Sequence, residues 1–307
     1  MQDFEYAAPA SIEEAITLLA EPGANARILA GGTDILVQLR EGLRQTALVV
    51  DIKKIPELGA IAVAADGSLR LGAAVPCHRI WSDARLVAGY PAVTDSARII
   101  GGWQIQGRAS LGGNLCNSSP AADSIPALIV EKATCEIAGP RGRRQVPAVE
   151  FCTAPGKNVL ERGEFVVALS FPPPEARAGS RYIRFIPRNE MDIAVAGSGV
   201  WLRLDAAGKT VEAARIALAA VAPTPVAATE AAEWLAGKPA SEESWKKAGE
   251  LARRVARPIT DLRGPKEYRV HLVGVLVARA LATAAERARG GDRDPMVPAD
   301  GRPSGVR

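Results

Sequence analysis

The first quarter of the chain alternates between the apolar spacing of helices and the continuous apolar runs of buried strands. The segment "SIEEAITLLAE" (residues 11–21) predicts a helix, because Ser11 and Glu14 form the pattern of a capping box. Two short apolar runs, "ARILAGG" (26–32) and "LVVDI" (48–52), are typical of buried strands. The chain therefore begins with alternating predicted helices and strands.

The residues between these two strands predict a turn from a strand into a helix, which we call the first glycine corner. "TDILVQLREG" (33–42) carries its apolar residues at helical spacing, and it directly follows Gly31 and Gly32. Further on, "AIAVAADGSLRLGAAV" (60–75) alternates on both sides of an Asp-Gly pair, which predicts a β-hairpin. Helical patterns follow from about residue 77 to residue 100.

A second hairpin and a final strand complete the predicted N-terminal domain. "ATCEIAG" (133–139) and "RQVPAVEF" (144–151) flank a turn at Pro140-Arg141-Gly142, and "EFVVALSF" (164–171) is one more strand. Three prolines, residues 172–174, follow that strand, and proline cannot continue a sheet. We therefore expect a domain boundary near residue 175.

Beyond that boundary the strands come first and the helices follow. Three strands are predicted within 181–187, 193–205 and 212–222, and two helices within 241–256 and 267–288. This order is typical of an α+β domain whose helices cover one face of a three-stranded sheet. The sequence thus predicts an α+β protein with domains at 1–175 and 176–288. The remaining segment, 289–307, is rich in glycine and proline, and we expect it to be a disordered tail.

Composition narrows the classes of function. The 307 residues carry a net charge of +4, and only 5% of them are aromatic. Twelve Lys and Arg residues against seven Asp and Glu lie in 250–307, so the rest of the chain is close to neutral. Nucleic-acid binding is therefore disfavoured. Neither a membrane span nor a secretory leader is evident, which predicts a cytoplasmic protein.

The four cysteines do not form a metal-binding pattern. They lie at positions 77, 116, 135 and 152, and none belongs to a Cys-x-x-Cys pair. We therefore expect small buried thiols, no metal and no disulfide framework.

The first glycine corner has the composition of an anion cradle. Glycine admits positive φ and lets a ligand approach backbone N–H groups closely. Thr33 and Asp34, which follow Gly31 and Gly32, suit both the cap of the helix and hydrogen bonds to a phosphate or ribose. Taken alone, a Gly-Gly sequence after a strand is most often a turn.

A second corner strengthens the case for a phosphate ligand. "ASLGGN" (109–114) again places two glycines after a hydroxyl residue, and Asn114 suits a turn fixed by its side chain. Asp123 lies nine residues further on, in a stretch of small uncharged residues. Two such corners would grip the two phosphates of a dinucleotide. Neither corner matches GxGxxG or GxxxxGK[ST], so a nicotinamide Rossmann site and an ATPase are disfavoured.

These segments resemble a known family. "LAGGTDILVQLR" and "RASLGGNLCNSSPAADSIPAL" are similar to the FAD-binding medium subunit of the molybdenum hydroxylases, the family of xanthine dehydrogenase and carbon monoxide dehydrogenase. "RFIPRNEMDIAVAGSGVWL" and "RPITDLRGPKEYRVHLVGVLVARAL" resemble its C-terminal domain, and the likeness runs from Phe4 to Leu281. It implies an FAD-binding domain of the PCMH or vanillyl-alcohol-oxidase type, built of two α/β lobes.

The resemblance also implies roles for individual residues. The first diphosphate loop would comprise Ile28, Leu29, Ala30, Gly31, Gly32, Thr33, Asp34 and Ile35. The second loop would comprise Ala109, Ser110, Leu111, Gly112, Gly113 and Asn114. Asp123 would lie by the phosphate and ribose of FAD, Ile100 and Val167 near the flavin ring, and Arg184 would place positive charge beside that ring.

Several of these residues have simpler interpretations. Ile100 and Val167 are equally typical of a hydrophobic core, and Arg184 of an exposed strand charge. Tyr182 is either a flavin neighbour or an aromatic residue between domains, whereas Asp192 is first a structural residue. His78 and His271 have no acidic partner at ligand spacing, so neither is expected to be catalytic.

The expected function follows from the resemblance. The chain would carry FAD and no iron, receive electrons from a small [2Fe-2S] subunit, and pass them to an external acceptor. Hydroxylation would occur on a large molybdopterin-binding subunit, in a dimer of heterotrimers. Two alternatives remain open at the level of sequence: a free-standing FAD-dependent oxidase or dehydrogenase, and a nucleotide-binding module that only docks partners.

Overall fold

The computed structural model describes residues 3–23, 25–188 and 191–291. The predicted tail lies outside these ranges from residue 292 onward. The strands of the N-terminal domain are β1 (Glu5–Ala7), β2 (Ala26–Leu29), β3 (Leu48–Asp51), β4 (Ile61–Val63), β5 (Leu69–Gly72), β6 (Thr134–Gly139), β7 (Gly142–Pro147), β8 (Cys152–Ala154), β9 (Lys157–Asn158) and β10 (Phe165–Phe171). Its helices are α1 (Ile12–Ala20), α2 (Ile35–Arg40), α3 (Cys77–Trp81), α4 (Ala84–Gly89), α5 (Pro91–Ile99), α6 (Trp103–Gln106), α7 (Leu111–Asn117), α8 (Ser124–Val130) and α9 (Ala148–Phe151).

The first lobe is a small parallel sheet in the order β1-β3-β2, so β2 is an edge strand. The predicted capping box opens α1, because the Ser11 Oγ accepts a hydrogen bond from the Glu14 amide at 3.1 Å. The Glu14 carboxylate reaches back to the amide of Ala10. The apolar residues of α1 pack with Val50 of the central strand, and this contact holds the lobe together.

The second lobe is an antiparallel sheet in the order β4-β5-β10-β6-β7. Both predicted hairpins are confirmed, and Gly67 and Gly142 take positive φ at their turns. The second hairpin is shorter than predicted, because β7 ends at Pro147 and the chain enters α9. Central strand β10 is covered on both faces, which explains its unbroken apolar sequence.

The C-terminal domain contains strands β11 (Ala178–Phe185), β12 (Ala196–Leu204), β13 (Val211–Ala219) and β14 (Val226–Ala227), and helices α10 (Thr229–Leu235), α11 (Glu242–Ala252) and α12 (Lys266–Ala288). The expected three-stranded sheet is wrong by one element, because the two-residue β14 pairs with β13. Helix α10 was not predicted from the sequence either. The sheet is antiparallel in the order β11-β12-β13-β14.

Both faces of this sheet are buried. Alternate residues of β12, such as Val200 and Leu202, face a core that includes α11 and α12. Trp201 lies between them in sequence and points the other way, into a cluster with Ala92 of α5 and with Ala127 and Val130 of α8. The opposite face of the C-terminal sheet thus packs on the N-terminal domain.

Helix α12 is long and apolar enough, by length and composition alone, to cross a bilayer. Its most apolar 18-residue window has a mean hydropathy of 1.3, yet 56% of that window is buried within the protein. The helix carries the buried cation Arg287 and packs against β11, β12 and α11. These contacts are those of a core helix.

Candidate FAD-binding site

The two glycine corners line one cleft with a volume of about 700 Å³. This volume falls within the usual range for ligand and cofactor sites, roughly 300–1,000 Å³. The predicted residues that line it are Ile28, Ala30, Gly31, Gly32, Thr33, Asp34, Ile35, Ile100, Ala109, Ser110, Gly112, Gly113 and Asn114. Segments 77 residues apart in sequence therefore meet at one surface.

The first corner packs directly on the backbone that leads into the second. A Cβ built on Gly31 would lie 2.0 Å from the carbonyl oxygen of Arg108, so a side chain is sterically excluded there. The Arg108 Nε donates back to the Gly31 oxygen at 3.2 Å. Gly32 has φ +84°, the left-handed conformation that glycine favours. The absence of a side chain at Gly31 therefore allows the two corners to pack against each other, and the cleft lies beside this contact.

The second corner is the first turn of α7. Ser110 is its N-cap, and the Ser110 Oγ accepts from the Gly113 amide at 3.1 Å. A Cβ on Gly112 would lie 2.4 Å from the oxygen of Ala73, so this position also requires glycine for packing. The carboxamide oxygen of Asn114 accepts from the amide and hydroxyl of Ser124, ten residues on at the start of α8. Asn114 itself lies within α7, so the expected turn fixed by its side chain is wrong.

Side chains also join the two corners. The Asn117 Nδ2 donates to the Asp34 Oδ1 at 3.3 Å, and the Gln38 Nε2 donates to the Asn117 Oδ1 at 3.4 Å. Asp34 occupies the N-cap position of α2 without a capping hydrogen bond from its side chain, so the predicted capping role is wrong. Partial desolvation in the cleft raises the pKa of Asp34 above its usual value. Its carboxylate instead faces the second corner.

Asp123 and Arg184 form a buried pair beside the cleft and do not line it. The Arg184 Nη1 lies 2.5 Å from the Asp123 Oδ2, and the Tyr182 hydroxyl donates to the Asp123 Oδ1 at 2.9 Å. Burial raises the pKa of Asp123 to about 6, although Arg184 and Tyr182 act in the opposite direction. Arg184 also donates to the carbonyl oxygen of Ile99 at 2.8 Å. The exposed-charge interpretation of Arg184 is therefore wrong, and Tyr182 is an interdomain aromatic residue.

Three other predicted residues are core residues. Leu29, Leu111 and Val167 are buried and lie outside the cleft lining. Val167 lies in the middle of β10, a strand that is covered on both faces, and its side chain packs in the hydrophobic core. Its carbonyl oxygen accepts from the amide of Ala73, a residue that does line the cleft. Asp192 has the structural role expected of it, because it accepts from the amide of Arg188.

Sequence reasoning missed part of the cleft. Arg27, Arg44 and the segment 160–166 also line it. Arg27 immediately precedes the predicted loop, and a charged residue within an apolar strand could have indicated that its side chain faces the cleft. The segment 160–166 approaches from the other side of the domain, with Gly163 at φ +80°, and no local pattern indicates that position.

The cleft has little chemistry of its own. Cys116 lines it, but burial raises the pKa of that thiol to about 12, so it is protonated and unreactive near neutral pH. Within 3–23, 25–188 and 191–291 no group of His, Cys, Asp and Glu is arranged to hold a metal. Such a site binds and orients a group that carries its own reactivity.

Comparison with known proteins agrees with this geometry. Residues 2–174 match the family model of the FAD binding domain in molybdopterin dehydrogenase, and residues 181–284 match the CO dehydrogenase flavoprotein C-terminal domain. The xanthine dehydrogenase FAD-binding subunit of Escherichia coli O157:H7 is 35% identical over 292 residues, covering 94% of this chain and 99% of that protein. The carbon monoxide dehydrogenase medium chain of Hydrogenophaga pseudoflava is 33% identical over 285 residues, 92% of this chain and 98% of that one.

Solved structures give the same result. A carbon monoxide dehydrogenase structure from Hydrogenophaga pseudoflava has a TM-score of 0.88 at 33% identity, covering 94% of this chain and 98% of that one. Quinoline 2-oxidoreductase from Pseudomonas putida 86 has a TM-score of 0.87 at 30% identity, with the same coverage. Fold and cleft thus define a two-domain flavoprotein. The chain belongs to the FAD-binding subunits of the molybdopterin dehydrogenases, whose members are oxidoreductase subunits with FAD as their cofactor.

Proposed function

We propose that this chain is the FAD-carrying electron-transfer subunit of a heterotrimeric molybdenum hydroxylase. It accepts electrons from a small [2Fe-2S] subunit and passes them to an external acceptor. The observation that carries the proposal is the convergence of both glycine corners on one cleft of dinucleotide size. When bound there, FAD supplies the ability to exchange one or two electrons.

The residues of the cleft fit this cofactor. Residues 28–35 and 109–114 would hold the diphosphate between the corners, because both segments offer small residues and backbone groups. Ile100 lines the cleft as an apolar surface suited to a flavin ring. Arg184 fixes that surface indirectly, since it anchors the carbonyl of Ile99 from the C-terminal domain. We assign Arg184 this positioning role.

A multi-subunit complex would supply the substrate chemistry for which the lining of the cleft has no suitable side chains. Among the described residues that line it, Glu161 and Glu164 are paired with Arg141 and Arg144, and the third carboxylate, Asp34, accepts a hydrogen bond from the Asn117 side chain. The relatives are named as a FAD-binding subunit and a medium chain, which implies other chains. We propose a [2Fe-2S] small subunit and a molybdopterin-binding large subunit in a dimer of heterotrimers, in the cytoplasm. We place the domains of this chain at 1–175 and 176–288.

The test is to purify the chain together with the subunits that accompany it. We expect co-elution with one iron–sulfur chain and one large molybdenum chain, and reduction of the flavin when substrate is added to the complex. The isolated chain should contain flavin but turn over no substrate. Turnover of a small substrate by the isolated chain would favour a free-standing oxidase, and a chain that binds no flavin would favour a docking module.

A further inference from the structure

Two arginines face the cleft without a counter-charge. Arg27 belongs to edge strand β2, and Arg44 lies between α2 and β3. Arg27 lies four residues before Gly31, on the strand that leads into the first corner, and both residues line the same cleft.

Three other charged groups of the cleft, Arg162, Glu161 and Glu164, are already engaged. Arg141 pairs with Glu161 at 2.6 Å, and Arg144 pairs with Glu164 at 2.7 Å. Arg162 donates to the carbonyl oxygen of Glu21. Within the described ranges, neither Arg27 nor Arg44 forms an ion pair with a carboxylate, and the buried Nε of Arg27 has no hydrogen-bond partner.

The surroundings of Arg27 are unfavourable for its positive charge. Burial and the nearby charge of Arg44 both lower the pKa of Arg27 below its usual value. A buried donor without a partner is unfavourable, and so is a pair of like charges. An anion placed between the two guanidinium groups would relieve both effects, and arginine binds phosphate oxygens with particularly suitable geometry.

We propose that Arg27 and Arg44 form an anion-binding pair that neutralises the diphosphate of a dinucleotide in the cleft. This inference rests on the proposed function, because it assigns the charge partner of the same cofactor. The glycine corners contain no lysine, and Asp34 adds negative charge beside them. Arg108 brings one guanidinium to the first corner, where it donates to the Gly31 oxygen, and Arg27 and Arg44 add positive charge along the same cleft.

The experiment compares Arg27→Met and Arg44→Met with Arg40→Met as a matched control. Arg40 lies in the same segment, is exposed and pairs with its neighbour Glu41, so its loss changes the net charge without touching the cleft lining. Each full-length apoprotein is titrated by calorimetry with FAD, riboflavin, ADP and inorganic pyrophosphate. Arg44 is exposed, so its variant should fold even if Arg27→Met does not; thermal melts verify folding.

We expect both variants to lose FAD, ADP and pyrophosphate affinity by about tenfold or more, and the control to lose less than twofold. Riboflavin, which has no phosphate, should bind all four proteins equally. FAD binding by the parent chain with unchanged affinity in folded Arg44→Met would overturn this inference alone. A parent chain that binds pyrophosphate but no FAD would leave the anion pair standing and contradict the proposed function. A parent chain that binds none of the phosphate ligands would overturn both.

Discussion

Arg184 and Asp123 join the two domains through an ion pair of 2.5 Å, with only 6% and 9% of their side chains exposed. Arg184 belongs to β11 of the C-terminal domain, and Asp123 directly precedes α8 of the N-terminal domain. The same guanidinium holds the carbonyl of Ile99 next to Ile100 of the cleft. The interdomain contact therefore also sets one wall of the cofactor site.

We predict that Arg184→Met destabilises the protein by about 3–5 kcal/mol, because it leaves a buried carboxylate without its partner. Urea unfolding of the apoprotein at pH 7 measures the effect. The double variant Asp123→Asn/Arg184→Met should recover part of the loss, since no uncompensated charge remains. A single variant within 0.5 kcal/mol of the parent, on the order of an ordinary surface change, would show that the pair does not act as described.

We predict that Gly31→Ala destabilises the protein by at least about 1–3 kcal/mol, as overpacking does, and lowers flavin retention with it. The new Cβ would meet the Arg108 oxygen, and the two corners would separate. Gly107→Ala is the matched control, because Gly107 has helical φ and open space around its Cβ position. Equal stability of the two variants in thermal melts would contradict the corner-to-corner packing.

The packing also changes the expectation for Gly112. A valine at either Gly32 or Gly112 should abolish flavin retention, and the sequence alone attributes this to blocked phosphates. At Gly112 the structure adds a second cause, since Ala73 already fills the space of a side chain. We therefore expect Gly112→Val to lose stability as well as flavin, and the apoprotein melt separates the two effects.

A fourth prediction concerns pH. Glu131 is buried between the domains, where Ser180 donates to it and Asp95, Arg215 and Arg287 surround it. Burial raises the pKa of Glu131 from 4.5 to about 7. The folded chain then keeps this proton over a pH range in which the unfolded chain loses it. The stabilisation that the protonated Glu131 provides is complete below pH 4.5. It declines by up to about 3 kcal/mol as the pH rises towards 7.

Replacement of the titrating group tests this. Glu131→Gln should remove that part of the pH dependence, so the variant gains stability relative to the parent between pH 5 and pH 8. Urea unfolding of both apoproteins at these two pH values gives the comparison. An identical change in the free energy of unfolding for parent and variant would show that Glu131 does not titrate in this range.

Local sequence patterns predicted most of the fold. The two hairpins follow from glycine at positions of positive φ, and the long strands and helices from apolar spacing. β14 and α10 were missed, because two residues and two turns carry too little periodic signal. The cleft was found through glycines whose neighbours are small, a property visible along the chain.

Tertiary contacts explain the remaining differences at the site. The family resemblance predicted Leu29 and Val167 as cofactor neighbours from their positions along a loop and a strand. In the structure both side chains are buried in the core, because successive side chains of a strand point to opposite faces. The Asp123–Arg184 pair joins residues 61 apart. The sequence could not show that Arg27 and Arg44 line the cleft without a carboxylate partner among the described residues, because this depends on which groups the fold brings together.

The most direct test of the central claim is the electron density of a crystal of the full chain grown with FAD. We expect the diphosphate to lie between residues 31–34 and 110–114, with the flavin ring towards Ile100. Saturating FAD that leaves the cleft between these segments empty, or density for FAD at another surface, would contradict the account.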